Sequence, residues 1–256
     1  MIPPPFPSQP PRPATAADDV VIVDVRDPAD TLPAPPGDRL PGALRVDLQI
    51  PLLDANDQRA AENRAAFAAR RIQSLNFVSS PGAGKTTLLQ HTLDALAGEI
   101  RCAVLVGDLE TANDARRLRR PGVPVAQITT GGCCHLDASM VARGAEALTL
   151  DGVRLLFIEN VGNLVCPASF DLGENRRITL VSCTEGEDKP LKYPPMFSSA
   201  HVVLLTKIDV AEAMGFDLAL ARENIRRAAP QATVFEVSAK TGEGLDAWLA
   251  YLRAML

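Results

Sequence analysis

The chain has 256 residues, 46% of them hydrophobic and 22% charged, with a formal net charge of −5 and five cysteines. These values describe one soluble domain with appendages, and they exclude a disulfide-stapled secreted module and a chain charged overall for nucleic acid. No apolar run reaches the roughly 18 residues of a membrane span, and the opening MIPPPFPSQPPRP has no basic stretch leading into an apolar one. A cytoplasmic protein that engages neither membrane nor nucleic acid is expected. A domain of this size needs no metal to be stable, so any metal site is expected to be functional.

Twelve of the 21 prolines fall within the first 41 residues. Residues 1–44 are therefore expected to form an extended or disordered tail, broken only by the apolar run Val20–Val25, which is strand-like. Residues 45–256 form the main domain. It is led by a helix over about 52–71, rich in Ala, Glu, Gln and Arg and read as amphipathic. Seven short apolar strands are predicted at about 75–79, 102–106, 124–128, 153–158, 178–183, 201–205 and 233–237. Helices follow most of them, at about 85–97, 113–119, 136–148, 217–229 and 244–255. Strand alternating with helix predicts an α/β fold, a mostly parallel seven-stranded sheet flanked by helices. Its ligand site then lies at the carboxyl ends of the strands.

The first of these strands runs into Ser79-Ser80-Pro81-Gly82-Ala83-Gly84-Lys85-Thr86, followed by Thr87 and an apolar helix. Against the phosphate-loop pattern G-x-x-x-x-G-K-S/T only Ser79 departs. Gly82, Ala83 and Gly84 let backbone N–H groups cradle phosphates at a helix N-terminus, Lys85 supplies a positive charge, and the Thr86 hydroxyl suits Mg²⁺. Two strand-end carboxylates complement it: Asp108, as a ligand for Mg²⁺ or water, and Glu159, which opens Glu-Asn-Val-Gly and holds Mg²⁺ or orients the attacking water. Gly162 closes that motif and is placed to give its N–H to a γ-phosphate. Asp114 is read either as a further ligand or as a solvated helix residue. No glutamine or arginine of the kind that speeds such reactions is evident, so slow turnover is expected.

The strand at 201–205 ends in Thr206-Lys207-Ile208-Asp209, the pattern Asn/Thr-Lys-x-Asp. Guanine presents two adjacent donors that one carboxylate accepts together, so Asp209 selects guanine while the Lys207 stem lies over the base. Ser238-Ala239-Lys240, after the last strand, lines the other side. The nucleotide is expected to be GTP.

Between these motifs stand Cys133-Cys134-His135, before a helix, and Cys166, four residues beyond Gly162. Thiolate and imidazole ligands suit Zn²⁺ or Ni²⁺. Cys134, His135 and Cys166 are one ligand short of a closed tetrahedral site, a deficit that a two-fold dimer would make good. Cys133 is either a spare ligand or a bystander. Cys102 and Cys183 lie in apolar strands and are expected in the core; His91 and His201 are expected to be structural.

The segments SSPGAGKTTLL, GDLETANDARRL, TTGGCCHLDASMV, LLFIENVGNLVCPASFDLGE, EGEDKPLKYPPMF and LLTKIDV together resemble the HypB family of hydrogenase nickel-incorporation GTPases, over roughly residues 45–256. The resemblance implies a P-loop GTPase of the SIMIBI class that dimerises with GTP and carries Ni²⁺ or Zn²⁺ on Cys134, His135 and Cys166. It also implies work with a HypA-type metallochaperone on the precursor of the hydrogenase large subunit. Some members carry an N-terminal Cys- or His-rich segment for nickel. This chain has neither residue before His91, so N-terminal nickel binding and storage are not expected. A urease-type accessory GTPase fits less well, because its Cys-Pro-His motif meets Cys166-Pro167-Ala168 here; a metal-binding scaffold with little turnover is the remaining alternative.

Overall fold

The computed structural model describes residues 21–24, 49–108 and 113–256. The rest of the proline-rich tail, and residues 109–112 of the GDLETANDARRL segment, lie outside them. In chain order the elements are β1 (Val21–Asp24), α1 (Gln49–Ala69), β2 (Gln73–Ser79), α2 (Lys85–Leu96), β3 (Cys102–Asp108), α3 (Asn113–Leu118), β4 (Val125–Thr129), α4 (Ala138–Glu146), β5 (Leu155–Glu159), β6 (Arg176–Ser182), α5 (Lys189–Lys192), α6 (Pro194–Ser198), β7 (Val202–Thr206), α7 (Leu218–Ala228), β8 (Thr233–Val237) and α8 (Leu245–Ala254). One sheet in the order β1-β4-β3-β5-β2-β6-β7-β8 contains every strand, and every pairing is parallel. All carboxyl ends therefore share one edge, and β2, which feeds the phosphate loop, sits between β5 and β6.

The sheet has eight strands where seven are counted from the sequence. The added one is the Val20–Val25 run: β1 pairs with β4, with Val21 opposite Ala126. The run is short and its partner lies about a hundred residues on, so no local pattern ties the two together. Two short helices, α5 and α6, also occupy the EGEDKPLKYPPMF segment, each with a proline in its first turn. At four and five residues they are too short for a periodic signal.

Near-continuous apolar strands are what a sheet covered on both faces requires. On one face α2 and α8 bury Leu88, Leu89, Leu93, Trp248 and Leu252 against Phe77, Phe157 and Leu204. Trp248 meets Phe77 edge-on, with centroids 6.1 Å apart, and its indole N–H donates to Thr92 Oγ1 at 3.1 Å. The other face is covered by α1 and α4 over β3, β4 and β5, and by α6 and α7 over β6 and β7. Cys102 and Cys183 lie in these cores as expected. Burial pushes their thiols up to about 12 and about 11 respectively, which leaves them protonated and inert. Among the described residues no helix is long and apolar enough to cross a membrane.

The leading helix is attached in a way that apolar periodicity does not capture. Its buried residues include Asn56 and Asn63 beside Ala60, Ala66 and Phe67. Asn56 donates to the Asp171 carbonyl (2.8 Å) and accepts from Ala138 N (2.9 Å), while Asn63 donates to the carbonyls of Ala138 (2.7 Å) and Leu172 (3.0 Å). Two asparagines thus fasten α1 to the start of α4 and to the 171–172 loop together. Gly173 permits that approach: its φ is +85°, and a Cβ there would stand 2.5 Å from the Ala60 carbonyl oxygen. Gly173→Ala combines a left-handed alanine with a backbone clash, so a loss of about 2–4 kcal/mol is expected in urea unfolding. An unchanged midpoint and slope would show that α1 is not held at this point.

Candidate nucleotide and metal site

The phosphate loop runs from the end of β2 into α2, with positive φ at Gly82 (76°) and Gly84 (100°). Lys85 is buried, and its ammonium donates to Ser79 Oγ at 2.9 Å; that hydroxyl donates in turn to the Ser80 carbonyl at 2.6 Å. The serine that replaces the usual first glycine therefore holds the lysine. Burial lowers the Lys85 pKa, against the opposing charges of Glu159, Asp114 and Glu185.

Thr86 Oγ1 donates to Glu159 Oε1 at 2.7 Å. Glu159 is the last residue of β5, one position further into the strand than predicted, and it is buried. Its second oxygen, Oε2, has no hydrogen-bond partner among the described residues. Burial pushes the carboxyl up to about 7, opposed by the Lys85 charge and the Thr86 hydroxyl. Asp108 ends β3, two residues beyond the Val106 that lies opposite Glu159. Gly162 packs on the loop itself, where a Cβ would lie 3.0 Å from Pro81 Cα. Asp114 pairs with Arg117 at 3.2 Å, and its charge acts on both Lys85 and Glu159.

The predicted base residues converge. Thr206, Lys207, Asp209, Ala239 and Lys240 line one cavity of about 260 Å³ with Ala83, Gly84 and Thr87 of the phosphate loop. Thr206 Oγ1 donates to the Ala83 carbonyl (2.7 Å), which ties the two motifs together. Lys207 adopts φ 59°, and its ammonium lies 3.5 Å from Thr184 Oγ1. Ser238 Oγ donates to Asp209 Oδ1 at 2.6 Å and so orients the carboxylate.

The metal candidates also meet. One ligand atom each from Cys134, His135 and Cys166 lies within 4.8 Å of the others. Cys134 Sγ is 2.9 Å from Cys166 Sγ and 3.9 Å from His135 Nδ1. Two thiolates about 2.3 Å from a tetrahedral metal stand about 3.8 Å apart, so the cysteines must open by roughly 1 Å to ligate one. Burial lowers the His135 pKa against the pull of Asp137, which keeps the imidazole in its neutral, ligating form at neutral pH. The hydrogen bond with Cys134 raises the Cys166 pKa. Cys133 is exposed and outside this cluster. His201 is structural: its Nδ1 accepts from Arg177 N at 3.0 Å. His91 is exposed on α2.

Helix α4 starts at Ala138, two residues later than predicted, because Asp137 caps it by accepting from Met140 N at 2.7 Å. That cap leaves His135 in the loop.

Sequence reasoning missed several residues here. Arg117, on α3, donates to Thr87 Oγ1 (3.1 Å) and Gln90 Oε1 (3.2 Å), and its charge opposes the rise in the Glu159 pKa. Phe170 stacks on the His135 ring at 4.0 Å, and Asn163 Nδ2 donates to the Cys134 carbonyl at 3.4 Å. They lie in the segments GDLETANDARRL and LLFIENVGNLVCPASFDLGE that carry the family resemblance, but no pattern within those segments assigned them a role.

Residues 73–236 match the family described as CobW/HypB/UreG, nucleotide-binding domain. The chain is 51% identical over 207 residues to hydrogenase maturation factor HypB of Escherichia coli, covering 81% of this chain and 71% of that protein. It is 40% identical over 218 residues to the hydrogenase/urease maturation factor HypB of Helicobacter pylori, covering 83% and 89%. Crystal structures of HypB from Archaeoglobus fulgidus (TM-score 0.75, 36% identity, 79% of this chain and 98% of that one) and of HypB from H. pylori in complex with nickel (TM-score 0.74, 41% identity, 78% and 94%) share its fold. The chain therefore belongs to the CobW/HypB/UreG family of P-loop nucleotide-binding proteins and, within it, to the hydrogenase maturation factors named HypB.

Proposed function

We propose that this protein is a GTP-hydrolysing nickel carrier that serves maturation of the large subunit of nickel–iron hydrogenase. The observation that carries this reading is continuity: Glu159, bonded to the phosphate-loop Thr86, and Cys166, one of three converging candidate metal ligands, lie on one segment seven residues apart. A change at the phosphates that moves this segment also moves a metal ligand.

Lys85 and the loop amides hold the phosphates, and Asp209, with Ser238 behind it, accepts the guanine edge. The donor set suits Mg²⁺, since Thr86 brings a hydroxyl and Glu159 a buried oxygen with no hydrogen-bond partner among the described residues. Thr86 with Asp108 or Glu159 holds that ion, which when bound neutralises phosphate charge. Glu159 also orients the water that attacks the γ-phosphate. Positioning and electrostatics account for the catalysis, and turnover is slow.

Nickel, or zinc in its place, is the cargo of Cys134, His135 and Cys166. Because the described residues of one chain bring three ligands together, the GTP-bound homodimer completes the site. A HypA-type metallochaperone and the hydrogenase large-subunit precursor are the partners, in the cytoplasm.

The test is titration of the purified chain with Ni²⁺ and Zn²⁺, with and without a non-hydrolysable GTP analogue, while oligomeric state is followed. Nucleotide is expected to drive dimerisation and to change metal affinity, and Cys134→Ala or Cys166→Ala to weaken Ni²⁺ binding at least 100-fold. Tight nickel binding retained by both variants, or metal affinity indifferent to nucleotide, would overturn the proposal.

A further inference from the structure

We propose that a chain of four buried side chains, Asn160–Asn76–Glu174–Arg177, positions the metal ligands and ties both ligand-bearing loops to the residue next to Glu159. The proposal rests on the reading of Cys134, His135 and Cys166 as the nickel site. Asn160 follows Glu159 directly. Its Oδ1 accepts from Leu136 N (3.1 Å), the residue after His135, and from Val161 N (2.9 Å). Its Nδ2 donates to Asn76 Oδ1 (3.2 Å), and Asn76 Nδ2 donates to Glu174 Oε1 (3.1 Å). Arg177 Nε donates to the same carboxylate oxygen (3.1 Å), and Leu172 N donates to the other (2.8 Å). From there the guanidinium reaches the second loop: Nη1 donates to the Ala168 carbonyl (3.0 Å) and Nη2 to the Phe170 carbonyl (2.8 Å). Cys166 opens the 3-10 turn Cys166–Ser169 of that loop, and the Phe170 ring stacks on His135.

Each of the four residues is at most 7% exposed. A buried amide or ion pair is costly unless its partners are in place, so the chain has one low-energy arrangement and shifts as a unit. One end holds the loop of Cys134 and His135 through Leu136, and the other holds the loop of Cys166 through two carbonyls. A displacement of the Glu159–Asn160 backbone therefore reaches all three ligands. A core whose only task was to be packed would be served by apolar side chains. The hydrogen bonds that Asn76, Asn160 and Arg177 donate from their side chains instead go to the two loops that carry the metal ligands or to one another, apart from one Arg177 bond to Ser199 Oγ.

Removing the groups that hold metal ligands in place lowers metal affinity by about 10- to 100-fold. The test measures Ni²⁺ affinity and the thiolate-to-metal charge-transfer absorption of the full chain, alongside the affinity for a fluorescent GDP and the thermal melt. Arg177→Lys keeps the buried charge opposite Glu174 but loses the fork to the two carbonyls. It is expected to weaken Ni²⁺ binding about tenfold or more and to shift the charge-transfer band, with GDP affinity within about twofold. Phe170→Ala, at a partly exposed position, is expected to do the same should Arg177→Lys fail to fold, and Phe170→Tyr, which keeps the ring, to restore the band. Unchanged nickel affinity and spectrum in a folded Arg177→Lys or in Phe170→Ala would overturn the role of the chain. Nickel binding by the unsubstituted protein that does not depend on Cys134 and Cys166 would overturn the metal reading and this role with it.

Discussion

Asp209→Asn is expected to weaken GDP and GTP binding roughly 30- to 150-fold and to raise affinity for xanthine nucleotides in their place. Asp209 lines the base cavity, and Ser238 Oγ donates to its Oδ1 at 2.6 Å. The Ser238 hydroxyl is itself fixed, accepting from Thr241 N at 3.1 Å. A carboxylate so oriented offers acceptors alone, and guanine offers two donors, N1–H and the exocyclic amine. Asparagine keeps Oδ1 but turns a donor toward that amine. The loss is a charge-assisted pair together with a new donor–donor contact, about 2–3 kcal/mol. Xanthine carries a carbonyl where guanine carries the amine, so the same asparagine becomes complementary. Titration with fluorescent guanine and xanthine nucleotides reads both arms. Guanine affinity retained in the variant, with no gain for xanthine, would remove Asp209 from the base-reading role.

The parts of the candidate site whose proposed roles rest on backbone shape or on one chemically distinctive side chain were legible in the sequence. A phosphate loop needs glycines at fixed offsets before a helix, and guanine needs a carboxylate at a strand end. Thiols and an imidazole announce themselves by residue type. What the sequence did not yield depends on partners far apart in the chain. No sequence pattern assigns a role to Asn76, Asn160, Glu174 or Arg177, and only the pairing of β2 with β5 and β6 brings them into one buried chain. Ser79 read as a departure from the phosphate-loop pattern, yet its hydroxyl is the group that holds Lys85. For α1 the helix was legible, but its attachment through Asn56 and Asn63 was not, because apolar periodicity says nothing about buried amides.

Glu159→Gln is expected to move stability and turnover in opposite directions, both with pH. Burial raises the Glu159 carboxyl from an ordinary 4.5 to about 7, so the folded protein holds a proton that the unfolded chain releases. Stability from this group is complete below the ordinary carboxylate range and is lost as pH rises through about 7; the loss is on the order of 3 kcal/mol. Glutamine cannot ionise and keeps an oxygen to accept from Thr86. The melting temperature of Glu159→Gln, free of nucleotide and metal, should therefore gain on the unsubstituted chain by roughly 5–10 °C between pH 5 and pH 8. Catalysis needs the ionised form, to hold Mg²⁺ or orient water, so kcat/KM for GTP at subsaturating Mg²⁺ should rise with pH through a midpoint near 7. The variant should lose about 100-fold or more in turnover above pH 7, and the deficit should shrink as the pH falls and Glu159 of the unsubstituted chain takes up its proton. A melting difference that does not change with pH would mean that Glu159 is solvated as an ordinary carboxylate. Turnover retained by the variant would pass the role of orienting water to Asp108. Both effects together would mean that the fold keeps a carboxylate at a cost to its own stability, where Thr86, Lys85 and the phosphates meet.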